Sequence, residues 1–368
     1  MARRVNPKIE ALTPYQPGKP VDEVTRELGL TDVIKLASNE NPRGPGELVR
    51  KAIDGACGDL ARYPDGNAFA LKRALAQHLG VRESQLTVGN GSNDVLDLAA
   101  RMSISPGAQA VISEHAFVVY RLATLSAGGE LVVVPARDYG ADLDGFLDAI
   151  TDATAIVFLA NPNNPTGTWV DEAALGRFLD AVPGHVWVVL DEAYHEYVEA
   201  AGYPNGMELQ RRYSNLIVTR TFSKIHGLAA LRVGFSVSSE EAADLMNRAR
   251  QPFNVNAPAM AAAVAALDDQ EFVQESRRLN LEGMDQVCEG IARLGLDLIP
   301  SVGNFVSFDV GGPSFPIYEA LLERGVIVRP IAEYGLPDHL RVTVGLPEEN
   351  ARFLAALELV LGKPESCC

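Results

Sequence analysis

The chain has 368 residues, 47% of them hydrophobic and 22% charged, with a formal net charge of −16. This length buries a core in one large domain or two smaller ones, and the composition is ordinary for a globular protein. The acidic balance excludes an electrostatic nucleic-acid surface, and no stretch approaches the roughly 20 apolar residues of a membrane span. Arg3 and Arg4 are followed by no apolar run, so no signal peptide is expected. Cys57, Cys288, Cys367 and Cys368 lack metal-ligand spacing with a histidine; a cytoplasmic, metal-free protein is expected.

Residues 1–45 are rich in proline and read as an extended arm lying on its own domain or on a partner subunit. Helices over 46–56 and 68–79 flank the turn Tyr63-Pro64-Asp65-Gly66. Short apolar strands follow at 85–88, 110–113, 131–134, 155–160, 186–190, 216–219 and 233–237, with amphipathic helices near 93–103, 117–127, 142–150 and 171–181. Such alternation predicts an α/β fold with a mainly parallel seven-stranded sheet covered by helices. Beyond 240, helices at 240–250, 257–267 and 270–294 precede strands at 305–308, 326–328 and 340–344 and helices near 314–324 and 348–361. That tail predicts a smaller α+β unit. The expected division is an arm at 1–45 that partly joins the small domain, a large domain at 46–265, and a small domain at 266–368.

Chemistry concentrates around Lys224, which lies between the apolar runs 215–219 and 233–237, with Thr221 and Ser223 before it and Arg232 eight residues after. Burial shifts an amine toward its neutral, nucleophilic form, and two hydroxyls with a guanidinium make a phosphate socket. An amine beside such a socket points to pyridoxal phosphate; a solvated lysine on a loop is the plain alternative. Asp191 ends the strand 186–190, where a carboxylate either meets a ligand or caps a helix. Asn161-Pro162-Asn163-Asn164-Pro165-Thr166-Gly167 continues neither strand nor helix and reads as a shaped loop at another strand tip. Gly89-Asn90-Gly91-Ser92-Asn93-Asp94 opens a helix, suiting an anion or a simple cap. His115, Phe117 and Tyr120 offer rings for stacking or for core packing. His195 and Glu196 read as structural.

In this order the elements resemble those of the fold type I pyridoxal-phosphate enzymes, the aspartate-aminotransferase superfamily. The resemblance implies that Lys224 forms the Schiff base and Asp191 partners the pyridine nitrogen. It implies further that Asn164 and Tyr194 bond the ring hydroxyl and Phe117 stacks on the ring. Gly91, Ser92, Asn93, Thr221, Ser223 and Arg232 then hold the phosphate. Nearly the whole chain is similar to the histidinol-phosphate aminotransferase family, through Pro14-Tyr15-Gln16-Pro17-Gly18-Lys19-Pro20, Leu36-Ala37-Ser38-Asn39-Glu40-Asn41-Pro42, Arg62-Tyr63-Pro64-Asp65-Gly66, Val328-Arg329-Pro330 and Leu340-Arg341-Val342-Thr343-Val344-Gly345. By that likeness Tyr63 crosses a homodimer to the neighbour's cofactor phosphate. Arg341 meets the substrate anion, and Tyr15, Asn39 and Arg329 line the substrate pocket. Two departures stand out: Phe117 where relatives often have Tyr, and His226-Gly227 with Ala229-Ala230 after the lysine, which predicts an altered local backbone.

The activity implied is amino-group exchange between histidinol phosphate and glutamate, with 2-oxoglutarate and imidazole-acetol phosphate as the keto partners. Lys224 moves the Cα proton, and Tyr194 and Asp191 complete the catalytic set. An aromatic-amino-acid aminotransferase and a decarboxylase of a phosphorylated amino acid are rival chemistries on the same scaffold. A non-enzymatic cofactor-sensing regulator is the rival of a different class; residues 1–45 show no helix-turn-helix pattern to support it.

Overall fold

The computed structural model describes residues 7–10, 12–14 and 18–362; Tyr15, Cys367 and Cys368 lie outside the described residues. The first eight strands are β1 (Ile34–Lys35), β2 (Leu86–Gly89), β3 (Gln109–Ser113), β4 (Glu130–Val134), β5 (Thr154–Ala160), β6 (Trp187–Asp191), β7 (Leu216–Thr221) and β8 (Gly234–Val237). All but β1 form one seven-stranded sheet, in the order β2-β8-β7-β6-β5-β3-β4. Only β8 runs against the others, pairing antiparallel with β2 and β7. The carboxyl ends of β2, β3, β5, β6 and β7 therefore share one edge, where open α/β sheets bind their ligands.

Side chains alternate along each strand, and here both faces are covered. Val188, Leu190, Leu216 and Val218 enter one core, with Leu71, Leu75 and Phe178 from helices on that side. Val189 and Ile217 enter the other, with Val95, Tyr120 and Met246. Extending this alternation to the strand tips puts Asp191, Thr219 and Thr221 on the second face. Glu192 and Arg220 fall on the first, where Arg220 Nε and Nη2 donate to Glu192 Oε2 at 2.9 and 2.8 Å.

The later strands are β9 (Leu298–Ile299), β10 (Phe305–Asp309), β11 (Val326–Ile327), β12 (Arg329–Ile331) and β13 (Leu336–Thr343). Four form an antiparallel sheet in the order β12-β13-β10-β9, and β11 pairs in parallel with β1. Their apolar side chains, including Val306, Phe308, Val326 and Leu340, build a core of their own with Phe353 from the helix Pro347–Val360. The 24-residue helix Gln270–Arg293 links the two regions. Its Val287 and Ile291 lie in this last core, while Val273 packs with Tyr194, Ile225 and Phe305.

Within the expected extended arm at 1–45, residues 21–28 differ from the expectation. Val21–Leu28 is a helix that buries Val24 among Leu36, Val306 and Val326. Pro20 precedes it, Asp22 and Glu23 occupy its first turn, and Gly29 stops it in the left-handed region at φ 68. With only two turns between a proline and a glycine, its periodicity is too short to stand out. A second short helix, Gly206–Arg212, capped by Asn205, also went unmarked in the sequence pattern.

Candidate active site

At the shared edge of the large sheet, Ser92, Asn93, Phe117, Asn164, Asp191, Tyr194, Thr221, Ser223, Lys224 and Arg232 line one cleft of about 150 Å³, joined by Tyr120, Ala160, Pro162 and Ala193.

Asp191 is 5% exposed. The Tyr120 hydroxyl donates to its Oδ2 at 2.8 Å and the Thr219 hydroxyl to its Oδ1 at 3.0 Å. Burial raises its pKa; the two hydroxyls and the Ala193 N–H pull the other way. Among the described residues no cation forms an ion pair with this carboxylate, so the donors around it are neutral. Burial and the Asp191 charge push the Tyr120 phenol well above its ordinary pKa, which keeps it a donor. Its ring is fixed by stacking on Phe158 at 5.0 Å and by the edge of Phe117 at 5.9 Å. Tyr120 was expected only as a ring for stacking or core packing, not as a donor to Asp191, and Thr219 was not foreseen. Tyr120 lies one helical turn beyond Phe117 and Thr219 two residues before Thr221, so the spacing of each carries the signal.

Lys224 donates from Nζ to the Ser38 carbonyl at 3.1 Å and stands 5.4 Å from the centre of the Tyr194 ring. Burial, and then the Arg341 charge, lower its pKa to about 7. Tyr194 is held by Asn39, whose Nδ2 donates to the phenol oxygen at 2.9 Å, and by the edge of Phe305. Asn39 adopts φ 55 and fixes its own N–H on Thr343 Oγ1. The wall of the site thus joins distant parts of the chain, the partners of this bond being 304 positions apart.

Below the lysine lies an anion cradle. Arg232 donates to Ser223 Oγ at 3.1 Å and to the Ala229 carbonyl at 3.0 Å, from a left-handed backbone at φ 57. Among the described residues no carboxylate pairs with it. Gly91, at φ 82, faces its guanidinium, and a Cβ there would collide with Nη2. The helix Ser92–Ser103 starts at the same point and directs its free N–H groups there. A guanidinium lacking an acidic partner, two hydroxyls and a helix start fit a phosphate. A buried carboxylate among neutral donors fits a protonated ring nitrogen, and a near-neutral amine fits an aldehyde carbon. The residues present therefore suit pyridoxal phosphate.

The asparagines of the loop 161–167 brace it. Asn161 Nδ2 donates to the Val170 carbonyl, and Asn163 Nδ2 donates to the His115 carbonyl and to Thr166 Oγ1. Asn164 instead accepts from Arg341 Nη1, which turns its own NH2 group to other partners. Arg341 also donates to the Ala37 carbonyl at 2.8 Å. Arg329 is the register partner of Arg341 across β12 and β13, and it pairs with Glu333. Tyr63 stands apart from the cleft: it is 82% exposed and stacks on Phe253 at 4.7 Å. The altered run after the lysine has a steric logic, since Gly227 at φ 69 lies so close to the Gly44 carbonyl that a Cβ would collide. His226 packs on Phe222 with centroids 5.0 Å apart, and burial lowers its pKa. Among the described residues no group of three His, Cys, Asp or Glu is arranged to hold a metal, and no helix is long and apolar enough to cross a membrane.

The family model for aminotransferases of class I and II matches residues 31–357. Histidinol-phosphate aminotransferase 2 of Pseudomonas fluorescens is 55% identical over 359 residues, 97% of each chain. Its namesake from Pseudomonas aeruginosa is 56% identical over 357 residues, 96% of this chain and 97% of that one. Among solved structures, histidinol-phosphate aminotransferase from Sinorhizobium meliloti in complex with pyridoxal-5′-phosphate superposes with a TM-score of 0.91 at 31% identity, covering 98% of both chains. Thermus thermophilus aspartate aminotransferase with maleate, at 23% identity and a TM-score of 0.84 over 98% of this chain and 100% of its own, shares the fold.

Proposed function

The chain belongs to the class I and II aminotransferases, and from that premise we propose that it uses pyridoxal phosphate to exchange an amino group between histidinol phosphate and 2-oxoglutarate. The observation that carries this reading is one cleft holding a near-neutral Lys224, a buried Asp191 and an Arg232 with no acidic partner among the described residues. Ser92, Asn93, Thr221, Ser223 and Arg232, with the Gly91 backbone, would hold the cofactor phosphate. Phe117 would cover the ring, Asn164 and Tyr194 would bond its hydroxyl, and Asp191 would hold the proton on its nitrogen. Bound there, pyridoxal phosphate supplies an electron sink for charge developing at the substrate Cα. Lys224 removes the Cα proton as a general base, which an amine with a pKa of about 7 does well at neutral pH. Tyr194 and Asn39 orient that amine, and Arg341, fixed on Asn164 and the Ala37 carbonyl, meets the anionic end of the substrate.

The choice of substrate turns on anion count. A carboxylate fills one guanidinium fork; a phosphate dianion uses a second, and Arg329 is the arginine beside Arg341. Arg329→Leu is expected to weaken histidinol phosphate by about ten- to a hundredfold, the contribution of a charge-assisted hydrogen bond, with much smaller effects on phenylalanine and glutamate. Arg341→Leu damages all three. Steady-state kinetics with the three donors check this, and a wild type that prefers phenylalanine transfers the assignment to the aromatic aminotransferases.

The proposed assembly is a cytoplasmic homodimer, each chain divided into an arm at 1–45, a large domain at 46–265 and a small domain at 266–368. Tyr63 supports the dimer: a tyrosine 82% exposed and stacked on the exposed Phe253 marks a surface that a second copy would cover. Tyr63→Ala is expected to leave the isolated fold intact and to weaken cofactor binding by about tenfold, one charge-assisted hydrogen bond to the neighbour's phosphate. Cofactor titration by absorbance reads the loss, and light scattering that finds an active monomer refutes the assembly.

A further inference from the structure

Ser307, Arg341 and Arg329 are register partners across β10, β13 and β12, so their side chains form one row on one face of the small sheet. The inner end of the row touches the cleft wall: Ser307 Oγ donates to the Pro165 carbonyl at 2.6 Å, and Arg341 donates to Asn164 Oδ1. The outer end, Arg329, reaches toward Gly18, where an added Cβ would lie 4.0 Å from its Nη1. Like charges directly opposite on neighbouring strands repel, and both guanidiniums are buried, Arg329 being 7% and Arg341 6% exposed. Buried cations side by side require an anion.

Glu333 provides one by pairing with Arg329 Nη2. It is placed unlike a structural counter-ion. The Arg329 side chain keeps 8% of its surface, whereas that of Glu333 keeps 35% and reaches solvent. Glu333 sits in the 3-10 turn Ala332–Tyr334, whose backbone is tied to the loop 161–167 through His115: the His115 ring bonds the Tyr334 carbonyl through Nδ1 at 2.7 Å, and its own carbonyl accepts from Asn163 Nδ2. The turn is held while the carboxylate at its outer edge has open space to move into.

Resting on the reading that Arg329 takes the substrate phosphate, we infer that Glu333 is a specificity-determining residue: an internal anion that occupies Arg329 until a dianionic group displaces it. A substrate carboxylate finds Arg341 and has no advantage over Glu333 at Arg329. A phosphate carries enough charge and oxygens to take both forks. Glu333 therefore sets the charge that a ligand needs before the second arginine is released to it.

The test uses inorganic phosphate as a competitive inhibitor of the holoenzyme, with acetate as the singly charged comparison. Glu333→Gln keeps the side chain's shape and removes its charge. It is expected to tighten phosphate inhibition by about tenfold, the lower range for one charge-assisted hydrogen bond, with a smaller change for acetate. The gain is expected to vanish in the double variant Arg329→Leu/Glu333→Gln. Unchanged or weaker phosphate binding in Glu333→Gln, with Arg329→Leu still weakening it, overturns the inference and leaves the substrate reading standing. Phosphate binding indifferent to both single changes removes the substrate reading, and the inference with it.

Discussion

Lys224→Ala is expected to lower turnover by at least about four orders of magnitude, since it removes both the nucleophile and the proton carrier, and to erase the visible absorption band of the holoenzyme. The fold is expected to survive, because in this chain Lys224 contributes one hydrogen bond, to the Ser38 carbonyl, and its charge opposes burial. That opposition has a measurable sign. The folded-state pKa is about 7, against roughly 10.4 for an unfolded lysine. Between those values the unfolded chain binds more protons, so the position gains stability as pH rises through the window. Below pH 7 the penalty is at its full size, on the order of a few kcal/mol. Apoenzyme carrying Lys224→Met, which keeps the apolar stem, is expected to melt above the wild type at pH 6.5 and to lose that advantage toward pH 10.5. Transamination retained at the wild-type rate in Lys224→Ala would end the functional reading. Melting curves that differ by a constant amount at every pH would show that the amine is not desolvated.

The large sheet was legible because each of its strands is a short apolar run closed by a turn signal, and because both faces are buried. The same alternation that sends Val188 and Leu190 to one core and Val189 to the other aims Asp191 into the cleft, so the end of a run marks the residue that matters. The loop from Asn161 to Gly167 was legible for the opposite reason: its prolines and asparagines serve no regular element. What the sequence concealed was side-chain reach. Nothing local ties Asn39 to Tyr194 and Thr343, or Ser38 to Lys224; these bonds exist only because β1 is laid against β11 and the segment after it crosses the cleft. The helix Val21–Leu28 was read as an arm because prolines dominate its surroundings while its buried contact is a single valine. Glu333 gave no signal, since four residues from an arginine is an ordinary surface spacing until Arg329 is seen to be buried.

Asp191→Asn is expected to keep the cofactor bound and to lower kcat/KM by about a thousandfold or more, the scale on which removing one preorganised charge acts in a dry site. Two effects compete. The amide is isosteric and avoids a cost: burial raises the Asp191 pKa, so ionising the carboxylate weighs against the fold as pH climbs from the unfolded value through the folded one. Apoenzyme with asparagine should therefore be at least as stable as the wild type at neutral pH. Against this, the amide has lost the charge that keeps a ring nitrogen protonated, and one of the two hydroxyls that donate to this position, Tyr120 or Thr219, must turn to accept from its NH2 group. The electron sink is weakened, and loss of the Cα proton becomes the slow step. A deuterium isotope effect on Cα larger than in the wild type is the signature. Asp191→Glu retains the charge at the cost of an extra methylene in a tight site and is expected to lose only about tenfold. Small and equal losses from both changes, with no rise in the isotope effect, would leave Asp191 as a helix cap and deprive the ring nitrogen of its partner.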